Sequence, residues 1–328
     1  MKAAPRYTLT AFGELAAHVS APFPVSALRA DSLRIGTVEL TLGGGSVLVC
    51  QQLARLGHDA RVYAMAGRDG LGDWLLAELR VSGVDLAGTV ISGTRTTRTL
   101  VLHHPAGAHE IVHEPSDGNP AEFSAAAATL ARADQQFAYV PGFPGFEPVL
   151  EWLGRSGVPV VADIGYRPWL DDMRRYRDEV LSRAGLVSVC LLTGDRMNRT
   201  DQVSLLRAAA AQGPRLVVMT LGPLGAMTLA DDDVVHVPAV PCRPVNTLGA
   251  GDAFASGLIA GLAEGLPTAE AMRMGNATAA AVISMFPALP RRHDIDLLTS
   301  RQEAGGPEQP GGREDVGEWQ TGPLGDVD

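Results

Sequence analysis

NTLGAGDAFASG, residues 246–257, places the tetrapeptide Gly249-Ala250-Gly251-Asp252 directly before an apolar run. Apolar side chains then recur every four residues, which is the period of one face of an α-helix. Glycines recur at the same spacing on a neighbouring stripe, which is typical of a helix that packs closely against another. The two stripes are Phe254, Leu258, Leu262 and Leu266, and Gly257, Gly261 and Gly265. The tetrapeptide is therefore predicted to lie at the N-terminus of a helix.

The N-terminus of a helix has free backbone N–H groups that favour an anion, and glycines let the backbone approach a phosphate closely. Asp252 does not help to bind such an anion, because its own side chain is negative. Its position makes chemical sense if it takes a proton from a hydroxyl that attacks phosphorus. The tetrapeptide alone fits equally well with a carboxylate that only complements the helix dipole.

The composition of the chain restricts its class. Its 328 residues, 46% of them hydrophobic, fit one large α/β domain or two smaller ones. A net charge of −10 without a basic block argues against binding to nucleic acid or to anionic membranes. Cys50, Cys190 and Cys242 are far apart and odd in number, so they predict neither a disulfide framework nor a metal site. Without a signal-peptide pattern or a run of about 18 apolar residues, the chain is predicted to be cytoplasmic.

Short apolar strands alternate with helical patterns along the chain, which predicts an α/β fold with a doubly wound, mostly parallel sheet. Ligands of such sheets bind outside the carboxyl ends of the strands. The predicted strands are residues 61–67, 137–142, 158–164, 185–193 and 215–222. The predicted helices are residues 47–57, 72–83, 122–134, 147–157 and 201–213. Four of these helices end at glycines expected to have left-handed backbone, namely Gly57, Gly83, Gly157 and Gly213.

Two segments, residues 15–41 and 94–114, alternate in the strand period and leave little room for helices. They predict a small separate sheet such as a lid. Residues 301–328 are rich in glycine, proline and acidic residues with few apolar ones, so we expect a disordered tail. The remaining residues 1–300 are predicted to form one domain.

The stretch around Asp252 resembles the second signature of the PfkB/ribokinase family of carbohydrate kinases, which reads D-T-x-G-A-G-D before a helix. Further resemblances follow in family order over most of residues 8–290. They are Gly13-Glu14, Gly43-Gly44-Gly45, and residues 66–85, 163–170, 217–228 and 275–284. Each match is weak alone, and together they identify the chain as a divergent member of the family.

This resemblance implies a central, mostly parallel sheet between helices, a small β-lid, and transfer of a phosphoryl group from ATP to a hydroxyl of a sugar-like substrate. Asp252 would be the general base, and the amides of Gly249, Ala250 and Gly251 would form an anion hole. Mg²⁺ would bridge the nucleotide phosphates, and we expect no metal site built by the protein alone. We also expect a homodimer that forms through the lid. The nucleotide-binding residues would be Thr193, Thr220, Gly222, Gly225, Gly251 and Asn276. The substrate-binding residues would be His18, Gly43, Gly44, Gly45, Arg167, Asn246 and Asp252.

The sequence departs from the family pattern mainly at the substrate end. His18 stands where the family usually has an aspartate, Leu48 replaces an asparagine, and Asn246 replaces an acid. Gly165 replaces a further asparagine, and residues 193–196 replace an N-x-x-E motif. These changes are compatible with neutral drift, with a changed substrate or with loss of catalysis.

A changed substrate would be anionic or otherwise atypical. Its carboxylate or phosphate would pair with Arg167 and with Arg95 or Arg98. A protonated His18 would add a hydrogen-bond donor. The missing acid at Asn246 predicts little dependence on K⁺. Two alternatives to a sugar kinase remain open. One is a weak or silent ligand-binding domain of the same fold, and the other is a nucleoside kinase.

Overall fold

A computed structural model describes residues 7–22, 38–103, 109–142, 145–165, 172–285, 292 and 294–296. The predicted tail and Arg167 lie outside these residues. The strands are β1 (Tyr7–Glu14), β2 (Ala16–Pro22), β3 (Glu39–Gly43), β4 (Ala60–Ala66), β5 (Asp85–Ile91), β6 (Thr97–His103), β7 (His109–Glu114), β8 (Gln135–Pro141), β9 (Val160–Asp163), β10 (Val189–Thr193), β11 (Leu216–Thr220), β12 (Ala226–Ala230) and β13 (Asp233–Val237). The helices are α1 (Gly45–Arg55), α2 (Gly70–Val81), α3 (Pro120–Leu130), α4 (Glu147–Ser156), α5 (Met173–Arg183), α6 (Arg199–Ala210), α7 (Ala250–Ala263) and α8 (Thr268–Met285).

The larger sheet of the described residues has the strand order β13-β12-β11-β10-β9-β8-β1-β4-β5. The strands from β11 to β5 run parallel, and β12 and β13 add an antiparallel hairpin at one edge. The chain builds outward from β1 on one side and from β8 on the other, so the strand order reverses between these two strands. Ligands of open α/β sheets bind outside the carboxyl ends of the strands at such a reversal.

Helices cover both faces of this sheet, because its strands carry apolar side chains in both directions. In β1, Leu9 and Ala11 pack in one apolar cluster and Phe12 packs in the other. In β10, Leu191 and Leu192 divide between the clusters in the same way. Helices α1, α2, α7 and α8 supply the first layer, and α3 to α6 supply the second. The buried sheet thus fixes the positions of its strand ends.

A second sheet has the order β3-β2-β6-β7. Its strands come from the two segments predicted to form a lid, although residues 23–37 and 104–108 lie outside the described part of the chain. Leu15 alone separates β2 from β1, and Gly44 alone separates β3 from α1. The second sheet is therefore attached at the carboxyl end of β1 and at the N-terminus of α1.

The glycine stripe of α7 packs against α8, as its spacing predicts. A Cβ on Gly257 would lie 2.6 Å from the Met274 carbonyl oxygen, and one on Gly261 would lie 2.8 Å from Ala271 Cα. Only glycine permits this approach of two backbones. Gly265 is an exception to the stripe, because it has a φ of 78° just after the helix and nothing lies near its Cβ position.

The predicted left-handed glycines are confirmed, with positive φ at Gly57, Gly83, Gly157 and Gly213. The strand predicted over residues 185–193 is wrong in its first half. Ala184–Leu186 forms a 3₁₀ turn that continues α5, and β10 begins at Val189. Leu186 is 58% exposed, so the apolar run at this point does not mark a buried strand.

Candidate active site

Four polar residues lie at the carboxyl ends of parallel strands of the larger sheet, three of them on adjacent strands. Glu14 ends β1, Asp163 ends β9, Thr193 ends β10 and Thr220 ends β11. The parallel register places Thr193 directly beside Thr220. Asp163 was not among the predicted site residues. Its signal in the sequence is a carboxylate that directly follows a buried apolar strand, and this signal would have found it.

Asp252 lies in the first turn of α7 and faces the N-terminus of α1. A Cβ on Gly45 would lie 2.8 Å from Asp252 Oδ1, so the carboxylate fills the space that this glycine leaves. Burial, and secondly the negative charge of Asp163, raise the pKa of Asp252 to about 7. Both causes penalise the ionised form. A carboxyl group with a pKa near neutrality is well suited to accept a proton during a reaction.

The three residues of the predicted anion hole have different environments. Gly249 precedes α7 with a φ of 76°, and α7 begins at Ala250. The Ala250 N–H donates to the Thr247 carbonyl at 3.3 Å, so it is engaged within the turn. Within the described part of the chain, the Gly251 N–H has no hydrogen-bond partner, and a Cβ on this residue would meet open space. Gly251 therefore offers the free donor at this helix terminus.

Gly43, Gly44 and Gly45 do not line the cavity beside Asp252 but allow its walls to come together. A Cβ on Gly43 would lie 2.3 Å from the His18 ring. A Cβ on Gly44, which has a φ of 95°, would lie 2.1 Å from the Glu14 carbonyl oxygen. These positions give Gly43 and Gly44 a structural role, and the direct contact of the three glycines with substrate stays a prediction.

His18 lies in a row of polar residues across the second sheet. In register it is beside Thr41 on β3 and Thr99 on β6, and Thr99 is beside His113 on β7. Burial, and secondly the nearby His113, lower the pKa of His18 to about 4. His18 is therefore neutral at pH 7 in the protein without ligand, and its contact with substrate stays a prediction.

Asn246 is only 2% exposed and supports the loop before α7. Its Oδ1 accepts the Leu248 N–H at 2.8 Å, and its own N–H donates to the Ile283 carbonyl at 3.1 Å. The contact of Asn246 with substrate stays a prediction. The weak dependence on K⁺ stays a prediction.

Thr193, one of the predicted nucleotide-binding residues, is held in place by neighbouring residues. Its N–H donates to the Tyr176 hydroxyl at 2.9 Å. A Cβ on Gly165 would lie 2.9 Å from Asp163 Oδ1 and 3.2 Å from Thr193 Oγ1. An asparagine at Gly165, as in the family pattern, would require the Asp163 side chain to move.

The turn after β11 brings Thr220, Gly222 and Gly225 together. Thr220 Oγ1 donates to the Leu192 carbonyl at 3.2 Å. Gly222 and Gly225 have φ values of 58° and 97°, which glycine adopts without strain. A Cβ on Gly225 would also lie 2.2 Å from the Val237 carbonyl oxygen. Gly225 therefore shapes the turn by packing against backbone.

Asn276 ties α8 to the end of β13. Its Nδ2 donates to the carbonyls of Val237 at 3.1 Å and Pro238 at 2.9 Å. The residue is 6% exposed. Both N–H groups are thus used within the protein, so Oδ1 is the atom left for the predicted contact with adenine.

The arginines expected to bind an anionic substrate pair with carboxylates of the protein where the structure describes them. Arg95 lies 3.6 Å from Glu114, and Arg98 lies 3.7 Å from Asp69. Arg167 is outside the described residues. The charged side chains that line the cavity beside Asp252 are Arg55, Glu78 and Asp252 itself, so its described lining has more acidic than basic groups. The anionic substrate stays a prediction.

A cavity of about 320 Å³ opens beside Asp252. Its walls come from β2, β3, α1, α2, α8 and the start of α7, and they include His18, Leu48 and Gly249. The structure thus brings together Asp252, Gly249 and His18 of the predicted site. Leu48, a departure from the family pattern, lines the same space.

Among the described residues, no three His, Cys, Asp or Glu side chains are arranged to hold a metal ion. None of the described helices is both long and apolar enough to cross a membrane. All three cysteines are free thiols, with Cys50 and Cys190 buried and Cys242 exposed.

A family profile described as "pfkB family carbohydrate kinase" matches residues 8–143 and 189–288. The chain belongs to this family. As a pfkB-family carbohydrate kinase, the protein is an enzyme that phosphorylates a sugar or a related compound, and the predicted family membership is confirmed. The matched residues contain Asp252 and the strand-end residues Glu14, Thr193 and Thr220.

Individual relatives differ in how much of this pfkB-family kinase they match. A 1-phosphofructokinase of Haloferax volcanii is 40% identical over 85 residues, which cover 26% of this chain and 28% of that protein. A fructokinase of Klebsiella pneumoniae is 28% identical over 243 residues, or 69% and 78% of the two chains. The nucleoside kinase of Burkholderia thailandensis, solved in complex with inosine, superposes with a TM-score of 0.72 at 22% identity, covering 89% of this chain and 98% of its own. This likeness confirms the predicted ribokinase-like fold.

Proposed function

We propose that the protein transfers the γ-phosphoryl group of ATP to a hydroxyl of a neutral sugar or nucleoside, with Asp252 as the general base. Asp252 takes the hydroxyl proton, the freed oxygen bonds to the γ-phosphorus, and the bond from that phosphorus to ADP breaks. The observation that carries this proposal is the carboxylate of Asp252, with a pKa raised to about 7, on a cavity beside a helix N-terminus.

The residues around this carboxylate fit a triphosphate. Gly251 presents a free N–H where a side chain would face open space, and Gly222 turns the backbone at the end of β11. Asp195 lies beside this turn, with its Cβ 3.4 Å from the Cβ position of Gly222. Mg²⁺ is usually held by one or two carboxylates together with phosphates and water, so Asp163 and Asp195 would suffice as protein ligands. The ion would neutralise charge on the phosphates.

The substitution Asp252→Asn tests the proposal. A base acts only in the transition state, so kcat should fall by roughly 10²–10⁴-fold while ATP binding remains unchanged. ADP release would be measured over a panel of neutral sugars and nucleosides, with ATP binding followed by calorimetry. Asp178→Asn, an exposed carboxylate on α5, is the matched control. Full turnover in Asp252→Asn would overturn the assignment, and no turnover in the wild type would favour the silent ligand-binding domain.

We also propose that two copies pair through the outer face of the second sheet. Leu40, Val19, Leu100 and Val112 are neighbours in register across its four strands. Leu40, Leu100 and Val112 are 46%, 38% and 58% exposed, so they form an apolar row open to a partner. Val112→Glu should convert dimer to monomer in sedimentation velocity. The control Val81→Glu, on the exposed side of α2, should leave the mass unchanged, and a monomeric wild type would contradict the proposal.

A further inference from the structure

The cavity beside Asp252 also lies against one edge of the second sheet. Among the described residues, β3 is the edge strand on this side. Leu40, Thr41 and Leu42 of β3 all line the cavity. The space therefore extends from the candidate base to this strand.

The residues that line the cavity range from buried to exposed. Ala253 and Val282 are 3% and 8% exposed. Trp74 on α2 is half-buried, and Arg55 and Glu78 are exposed. The cavity therefore combines the candidate base with an aromatic ring and with charged groups in solvent.

His18 and Leu48 both line the cavity and both depart from the family pattern, and they make the cavity walls less polar. His18 is neutral at pH 7, and Leu48 replaces an amide with a branched alkyl group. Leu48 and Trp74 lie on different helices, α1 and α2, and both line the cavity. Sites that have exchanged hydrogen-bonding groups for apolar ones bind fully hydroxylated ligands less well.

We propose that this cavity, which we call the channel, is a second part of the acceptor site, and that it binds an apolar or aromatic substituent carried by a neutral sugar. The ring of the substituent packs between Leu48 and Trp74, and Arg55 and Glu78 lie at the mouth. The sugar hydroxyl that reacts stays beside Asp252. This proposal rests on the proposed function only in naming that hydroxyl as the one that reacts. The existence of the channel does not depend on the proposed function.

The size and chemistry of the channel agree with a ligand of this class. Its volume of about 320 Å³ is near the lower end of the roughly 300–1,000 Å³ found for ligand pockets. That space suits one ring in addition to part of a sugar, and it does not suit a long chain. An edge strand also presents unpaired backbone groups, so β3 can hydrogen-bond polar atoms of the ligand between its apolar walls.

The direct test compares matched ligands. Ribose, fructose and glucose would each be paired with the corresponding phenyl glycoside, and calorimetry would measure binding to the whole protein. At least one phenyl glycoside should bind about tenfold more tightly than its parent, because its ring is buried on binding. If every phenyl glycoside fails to bind, or binds no better than its parent, the proposal is wrong.

Two variants locate the added affinity. Trp74→Ala should remove the preference for the phenyl glycoside and leave the parent sugar unchanged. Leu48→Asn should lower the preference by favouring the parent. Trp152→Ala, which alters the other helical layer at α4, is the control for loss of a tryptophan. An equal loss for both members of a pair in Trp74→Ala would mean a structural effect and would overturn the assignment of this residue.

The same measurements in Asp252→Asn separate this inference from the proposed function. The variant should bind the phenyl glycoside with the wild-type preference, because the ring lies away from the carboxylate. Preferential binding without turnover in the wild type would mean that the channel exists and that the kinase mechanism is wrong. Turnover of parent sugars without any preference for the phenyl glycoside would mean the reverse.

Discussion

Asp252 can act as a base only while it is ionised. Since burial and then Asp163 raise its pKa to about 7, kcat/KM should fall as the pH drops below 7 and reach a plateau above it. Asp163→Asn removes the like charge, so the pKa of Asp252 should fall and the acid limb should move to lower pH. Rates measured from pH 5 to pH 9 would show this displacement.

The control for this experiment is Asp178→Asn on α5, which should leave the profile in place. The pH at which kcat/KM begins to fall is the quantity to compare, because Asp163→Asn also changes the magnitude of kcat/KM if Asp163 contacts Mg²⁺. An unchanged limb in Asp163→Asn would mean that this carboxylate does not influence the base.

Sequence reasoning predicted the chemistry at Asp252 better than the walls around it. Gly249 and Asp252 line the cavity. They could be predicted because their motif encodes a local structure, a turn followed by a helix. The structural contacts of Asn246, Gly43 and Gly44 were not predicted, since they depend on which distant segments pack against these residues. Trp74 was not predicted, because a tryptophan on an amphipathic helix gives no sign of whether it faces core or cavity.

Asp69 joins α2 to the segment that leads into the second sheet. It accepts the Gly72 N–H at 2.8 Å as the cap of α2, and both the N–H and hydroxyl of Thr96 at 3.0 and 2.7 Å. Asp69→Ala should lower the free energy of unfolding by about 1–3 kcal/mol, because it removes a helix cap and leaves donors without a partner. The connection to β6 should loosen, which should raise KM for the acceptor more than KM for ATP.

Urea denaturation would measure the loss of stability in Asp69→Ala. Asp69→Asn is the matched variant, because its amide oxygen keeps one capping contact, and it should recover part of the loss. Equal stability of wild type and Asp69→Ala would show that Asp117, which accepts the N–H and hydroxyl of Thr94, holds the connection alone.

Helices and strands were predictable where their apolar pattern was strong. α1, α2 and α4 begin and end within two residues of the predicted bounds. α5 was not predicted, because its sequence MRRYRDEVLSR buries only Tyr176 and Val180. β5 was also not predicted, since it is an edge strand with Gly88 in its middle and few strong strand formers. Weakly patterned elements form here through tertiary packing, which a local reading cannot include.

The base also affects the stability of the whole protein. The folded pKa of Asp252 lies above its unfolded value of 3.8, so its stabilising contribution is present below pH 3.8 and is lost as the pH rises through 7. At pH 8 the buried charge costs stability that Asn does not. Asp252→Asn should therefore melt a few degrees higher than wild type at pH 8, with a smaller difference at pH 5. Thermal unfolding at both values would show it, and equal differences would contradict the sign.

The second sheet depends on pairing between distant parts of the chain. β2 lies beside β6 from Ala16 and Thr97 onward, while α1, β4, α2 and β5 occupy the sequence between them. Closing so long a loop carries an entropic cost that is recovered only when both strands are in place. During folding, β1, β4 and β5 can associate with α1 and α2 first. The roof of the acceptor site should then assemble in a later kinetic phase than the floor that holds its catalytic base.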